Sequence, residues 1–229
     1  MAEETKLGPC QRGPWSAADI RKSMLCYAAT DRAWLRGRTL ASCVEDAIAG
    51  GATFIQLREK KASVEETEKL ALELKDICAT HHVPFVLDDD VELAKKVGAD
   101  GVHVGQEDLA CSKAREILGE DAIIGVSAQT AVEAVAAWKA GADYLGVGAL
   151  HPTPTKPDAG DVTYGELARI CAAVPIPVIG IGGVDATTAH ELEGTGVAGG
   201  AVVSAIFAAD DCRTATEKLK TELQKVVSA

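Results

Sequence analysis

The chain has 229 residues, 47% hydrophobic and 25% charged, with a formal net charge of −11 at pH 7. That size fits one large domain or two small ones, the composition is that of an ordinary globular protein, and the acidic balance argues against nucleic acid or an anionic membrane as a partner. No stretch reaches the apolar length of a membrane span, and seven scattered cysteines, odd in number and without a CxxC pair, fit reduced thiols in a cytoplasmic protein.

Residues 1–22, with early acids and two glycines, read as a loosely held tail lacking the apolar centre of a signal peptide. The first strand-like run is MLCYAAT (24–30). GGATFIQL (50–57) opens on glycines that can end a helix in a left-handed turn and then runs into a strand. At its end Gln56, Arg58 and Lys60 are spaced by two, which points them to one side of an extended chain. Residues 63–82 open with a capping-box pattern, Ser63 and Glu66, and keep a helical apolar period.

VPFVLDD (83–89) runs into Asp88, Asp89 and Asp90 ahead of another helical run, so one of the three is expected to be an N-cap. GADGVHVG (98–105) is the fourth strand, followed by Glu107 and Asp108. Carboxylates at two adjacent strand ends suit Mg²⁺, a hard cation held by one or two carboxylates plus substrate phosphate oxygens. Solvated loops are the other reading of the same spacing.

DAIIGVS (121–127) ends at Ser127, either a ligand or a turn serine. An amphipathic helix over 130–141 leads into GADYLGVG (141–148). The stretch GVGALHPTPTKPDAG (146–160) then fences Thr153, Thr155 and Lys156 with prolines, stiffening suited to a loop that presents hydroxyls and one cation to an anion. A helix over 163–174 opens on a second capping box, Thr163 and Glu166. IPVIGIGG (176–183) ends in Gly182 and Gly183, with Asp185 expected to cap a following helix. GVAGGAVV (196–203) is the eighth strand, and 212–227 the last amphipathic helix. Glycines after the seventh strand and a small polar turn after the eighth commonly form a barrel phosphate site, backbone N–H groups facing the anion.

Eight strand–helix units at a spacing of roughly 25 residues predict a single-domain (β/α)8 TIM barrel over 23–229, with an open doubly wound sheet as the rival. The echo of glycine, small residue and apolar run in alternate units favours closure, because alternate strands of a barrel share an equivalent environment. Chemistry would then sit beyond the C-terminal strand ends. Arg58, Lys60, Lys156 and a metal carry enough charge for a pyrophosphate, and the last two loops offer a separate monophosphate pocket. Together they suggest the joining of two phosphorylated molecules, with pyrophosphate as leaving group.

QLREK, DDVELA, GVHVGQED, GVS, DYLGVG…PTPTKPDA and GIGGV, in this order between about Tyr27 and Phe207, resemble the thiamin phosphate synthase family. The resemblance implies a transferase that condenses hydroxymethylpyrimidine pyrophosphate with hydroxyethylthiazole phosphate to thiamin phosphate and pyrophosphate. Carried over position by position, it implies that Gln56, Arg58, Lys60, Asp88, Ser127 and Lys156 bind the pyrimidine substrate, with Arg58, Lys60 and Lys156 catalytic. Asp89 and Asp108 would ligate Mg²⁺. Thr153, Thr155, Gly183, Val203 and Ser204 would hold the thiazole phosphate. The implied partners are two small phosphorylated heterocycles, and the resemblance leaves room for a homo-oligomer.

Some positions depart from the family pattern. Asp88 stands where Asn is general, Gln129 where His is common, and Ala149 and His151 where Pro and an aromatic residue are usual. His151 and His103 are expected to be packing residues. Two other readings use the same barrel: a thiazole tautomerase, which would need a general base and no pyrophosphate cluster, and a ligand-binding pseudoenzyme disabled at Asp88.

Overall fold

Eight short parallel strands pair in chain order and close: β1 (Cys26–Ala29), β2 (Phe54–Leu57), β3 (Phe85–Asp88), β4 (Gly101–Val104), β5 (Ile123–Ala128), β6 (Tyr144–Val147), β7 (Val178–Ile181) and β8 (Gly199–Val202), with β8 pairing back onto β1. The computed structural model describes residues 15–105, 111–152 and 162–228. Each expected strand is present, and the closed ladder decides between the barrel and the open sheet in favour of the barrel. Helices α1 (Ala17–Ser23), α2 (Leu40–Ala49), α3 (Val64–His81), α4 (Val91–Val97), α5 (Cys111–Leu118), α6 (Ala131–Lys139), α7 (Tyr164–Ala173), α8 (Ser204–Phe207) and α9 (Cys212–Ser228) accompany the strands.

The helix starts follow local chemistry. Ser63 and Thr163 accept from the backbone N–H groups of Glu66 and Glu166, as their capping patterns predict. Asp90 is the aspartate that caps, accepting from Leu93 N at 2.9 Å.

The sequence echo has a structural cause. Gly51, Gly98, Gly141 and Gly196 all have positive φ, between 68° and 103°, and each turns the chain into an even-numbered strand. Two residues further on, Thr53, Asp100 and Asp143 accept from a backbone N–H at the start of the preceding strand: Cys26 N, Phe85 N and Ile124 N, at 2.8, 2.8 and 2.7 Å. The fourth copy has Ala198 there and keeps only the backbone bond from Ala198 N to Val178 O. The repeat thus satisfies backbone donors at the bottom of the barrel that the ladder itself leaves unpaired.

Two apolar layers form. Between sheet and helices lie residues such as Ile55, Leu57, Leu87, Val102, Leu145 and Leu167. Inside the barrel Tyr27 stacks on Phe54 with ring centroids 4.6 Å apart, and Tyr144 meets Phe54 edge-on at 5.5 Å. This lumen is filled further by Val86, Ile123, Ile179 and Ala201.

Two expectations change. Residues 17–22, read as part of a tail, belong to α1, which a Ser16–Asp19 capping box starts. Ile20 of α1 and the following Met24 join the lumen cluster, so this helix packs on the barrel interior because it contributes apolar surface that the lumen covers. Residues 1–14 lie outside the described residues. After β7, the connection is a 3₁₀ turn, Ala189–Leu192, rather than an α-helix. Asp185 caps a turn there, accepting from Thr187 N and Thr188 N at 2.6 and 3.0 Å, and does not start a helix.

Candidate active site

The C-terminal ends of β2 and β3 bring together most of the described residues that the family resemblance implies for the pyrimidine substrate. Gln56, 4% exposed, points into the barrel mouth and donates to Asp88 Oδ1 at 3.0 Å. Lys60 Nζ lies 2.9 Å from Asp88 Oδ2 and also pairs with Asp89. Arg58 approaches from the same side, its Nε 3.9 Å from Asp88 Oδ2 and its Nη1 3.9 Å from Asp31 Oδ2. The spacing by two therefore does place Gln56, Arg58 and Lys60 around one point.

Three consecutive aspartates take three different environments. Asp90 caps α4. Asp89 has φ 66°, in the left-handed region, where aspartate is one of the few residues tolerated, and its backbone N–H donates to His103 O at 2.9 Å. Asp88 ends β3, and its carboxyl is pushed above the ordinary 3.8, first by burial and then by repulsion from Asp89, with Lys60 and Arg58 pulling the other way. Burial would lower the Lys60 ammonium, but its bonds to Asp89 and Asp88 outweigh that and raise it. The extra carboxylate at position 88 is thus turned toward Lys60 and Gln56.

A second polar group runs inward from the mouth. Ser127, near the end of β5, lies 3.1 Å from His103 Nε2; His103 Nδ1 lies 3.0 Å from Tyr144 Oη, and Tyr144 Oη 2.9 Å from Tyr27 Oη. Burial, the leading cause for both phenols, raises them well above the ordinary 10.0, so they remain neutral hydrogen-bonding groups. Room for these rings comes from glycines at facing register. A Cβ on Gly125 would meet Tyr144 Cζ at 2.1 Å and His103 Nδ1 at 2.5 Å. One on Gly146 would meet His103 Cε1 at 3.1 Å. Tyr27 and Tyr144, both buried in the lumen, extend this polar chain and were missed by sequence reasoning. The available signal was the pair of strand-interior glycines, which mark a close approach by something large.

On the other side of the mouth, β7 and β8 pair through Ile181↔Ala201. Gly183 and Val203 each lie two residues beyond that pair, so they share a rim, and Ser204 follows as the first, exposed residue of α8. Gly182 and Gly183 have φ 92° and 70°, a turn open to glycine and closed to most side chains. Asp108, Thr153, Thr155 and Lys156 lie outside the described residues.

Among the described residues there is no group of three or more His, Cys, Asp or Glu able to hold a metal. The donors that are present suit a hard cation: the carboxylates of Asp88 and Asp89 already gather around one positive charge, the Lys60 ammonium. No described helix is long and apolar enough to cross a membrane.

The chain is similar to known proteins over most of its length. The chain is 48% identical over 193 residues to the thiamine-phosphate synthase of Ruminiclostridium cellulolyticum, covering 84% of this chain and 92% of that protein. It is 44% identical over 200 residues to the thiamine-phosphate synthase of Clostridium beijerinckii, covering 87% and 96% of the two. The solved thiamine phosphate pyrophosphorylase of Pyrococcus furiosus superposes with a TM-score of 0.83 at 39% identity, over 90% of this chain and 98% of that one. The family model described as thiamine monophosphate synthase matches residues 26–206, from the start of β1 into α8. On its barrel, its strand-end residues and this match over nearly the whole fold, the chain belongs to the thiamine monophosphate synthase family.

Proposed function

We propose that this chain is a thiamine-phosphate synthase, a transferase that moves a pyrimidinylmethyl group from its pyrophosphate ester to the ring nitrogen of hydroxyethylthiazole phosphate. The carbon–oxygen bond to pyrophosphate breaks, pyrophosphate leaves with the electron pair, and the thiazole nitrogen supplies the pair for the new carbon–nitrogen bond. The benzylic-type carbon can carry positive charge between these events, stabilised by the amino group of the pyrimidine. No protein nucleophile is required. The protein's tasks are to stabilise charge on the leaving group and to hold the thiazole nitrogen in line.

The observation that carries this reading is the meeting of Gln56, Arg58 and Lys60 at the ends of β2 and β3. In the proposal Arg58 and Lys60, with Lys156, take the pyrophosphate, and Gln56, Asp88 and Ser127 complete the pyrimidine subsite. A tautomerase has no use for such a cationic cluster. Thr153, Thr155, Gly183, Val203 and Ser204 hold the thiazole phosphate. Asp89 and Asp108 would hold Mg²⁺, which when bound neutralises charge on the pyrophosphate. Small phosphorylated substrates and this composition suit a cytoplasmic enzyme.

The test is to supply both substrates with Mg²⁺ and follow pyrophosphate release. Stoichiometric pyrophosphate and thiamin phosphate support the assignment. Binding of both substrates with no release would instead make the chain a pseudoenzyme.

A further inference from the structure

His151, Tyr164 and Glu191 come from the chain after β6, the start of α7 and the 3₁₀ turn after β7, and meet in one cluster that the reaction as described does not use. Tyr164 Oη donates to Glu191 Oε2 at 2.6 Å and lies 2.8 Å from His151 Nε2. A phenol has one proton to give. With that proton on Glu191, the oxygen is left to accept, so His151 Nε2 carries a hydrogen and donates. The same nitrogen lies 3.3 Å from Glu191 Oε2. Burial first, then the Glu191 carboxylate, raise the Tyr164 phenol well above the ordinary 10.0, which keeps its proton in place.

This cluster fixes an imidazole against the turn after β7. A Cβ placed on Gly183 would come within 2.5 Å of His151 Cβ and 3.0 Å of His151 Cδ2, so the side chain lies directly on the Gly183 backbone. The two segments are also sewn together: Leu150 N donates to Ile181 O and His151 N to Gly182 O, both at 3.1 Å. From the far side Thr188 Oγ1 donates to Gly183 O at 2.9 Å. With both glycines at positive φ, nothing in the turn's own side chains limits its motion. Its external contacts must do so.

We propose that His151, oriented by Tyr164 and Glu191, is a positioning residue that fixes the Gly182–Gly183 turn for the phosphate of the thiazole substrate. The proposal rests on the functional reading above and deepens it: the cluster sets affinity for one substrate and leaves the pyrimidine pyrophosphate subsite on β2 and β3 untouched. It also replaces the expectation that His151 merely packs the loop. An aromatic residue at this position would cover the glycines but could not take up the Tyr164–Glu191 pair as a donor.

The experiment compares wild type with His151→Leu, Tyr164→Phe and His151→Gln, the last retaining a nitrogen donor. The KM for thiazole phosphate is expected to rise about five- to twentyfold in His151→Leu and Tyr164→Phe, in line with loss of one polar contact in a shared network. The KM for the pyrimidine substrate and the melting temperature should stay near wild type, and His151→Gln should recover part of the loss. A thiazole phosphate KM unchanged in both disruptive variants overturns the proposal, as does an equal rise in both KM values. If wild type releases no pyrophosphate at all, the functional reading has failed, and titration with inorganic phosphate decides the positioning role. Weaker phosphate binding by His151→Leu than by wild type then supports it, and equal binding overturns it.

Discussion

Lys60 Nζ lies 2.9 Å from Asp88 Oδ2, while the other oxygen of that carboxylate accepts from Gln56 Nε2 at 3.0 Å. One carboxylate thus engages two groups assigned to the pyrimidine pyrophosphate. An asparagine at this position would keep an acceptor for Gln56 and remove the charge that holds Lys60 and would repel the incoming anion. Asp88→Asn is therefore expected to leave kcat/KM unchanged or to raise it, by up to about fivefold for relief of roughly 1 kcal/mol of like-charge repulsion. Steady-state kinetics with both substrates check this. A large loss would show that Asp88 has a duty of its own, such as a share in holding the metal.

Exhaustive chelation should abolish turnover, and added Mg²⁺ should restore it. Asp89→Ala is expected to raise the Mg²⁺ concentration needed for half-maximal rate by at least about tenfold, since each carboxylate is a large part of so small a ligand set. Undiminished activity in chelator would contradict the charge-neutralisation argument.

Lys156 stands among prolines in the sequence PTPTKP, residues 152–157. Lys156→Ala should lower kcat by about 10²- to 10³-fold, the usual cost of removing one preorganised stabiliser of developing charge. Its melting temperature should match wild type. Near-normal turnover would remove this segment from the pyrophosphate subsite.

Gly125 of β5 pairs in register with His103 of β4 and Tyr144 of β6. A methyl group there would sit 2.1 Å from Cζ of the fully buried Tyr144. Gly125→Ala should destabilise the barrel by about 1–3 kcal/mol or more through overpacking. Chemical denaturation measures this directly. A variant as stable as wild type would mean that the stacked rings of Tyr27, Phe54 and Tyr144 yield more easily than their packing suggests.

Asp185 gives a pH test of opposite character. Burial acts to raise its carboxyl, but bonds from Thr187 and Thr188 outweigh burial and hold it below the ordinary 3.8. A carboxyl depressed in the folded state adds stability above its unfolded value, and that stability is lost as pH falls through the folded value. At neutral pH Asp185→Ala should be about 0.5–2 kcal/mol less stable than wild type, the range for losing a cap. Below pH 3.8 the two stability curves should converge. Curves that remain parallel would exclude ionisation as the source of the difference.

The fold was largely readable because its determinants are local. Ser63 and Thr163 cap helices through groups three residues away. The strand starts repeat a glycine and a small residue because each even strand must leave a left-handed turn at the same depth. Gln56, Arg58 and Lys60 could be placed together because alternation along an extended segment fixes side-chain direction. Two elements depart from the expectation. After Asp185 a 3₁₀ turn stands in place of an α-helix, although the carboxylate accepts from Thr187 N and Thr188 N as an N-cap does, and α1 belongs to the barrel because Ile20 and Met24 find a lumen to cover.

What the sequence determined by itself was the number of strands, their order and which strand ends carry charge, since those follow from periodicity, capping and spacing over a few residues. Tertiary structure alone decided that Asp88 would meet Lys60, that Tyr27 and Tyr144, 117 residues apart, would share a hydrogen bond, and that His151 would rest on Gly183. Closing the barrel turns separate strand ends into neighbours. Lumen space, register and the pairing of buried polar groups exist only after that closure, so no local pattern could specify them.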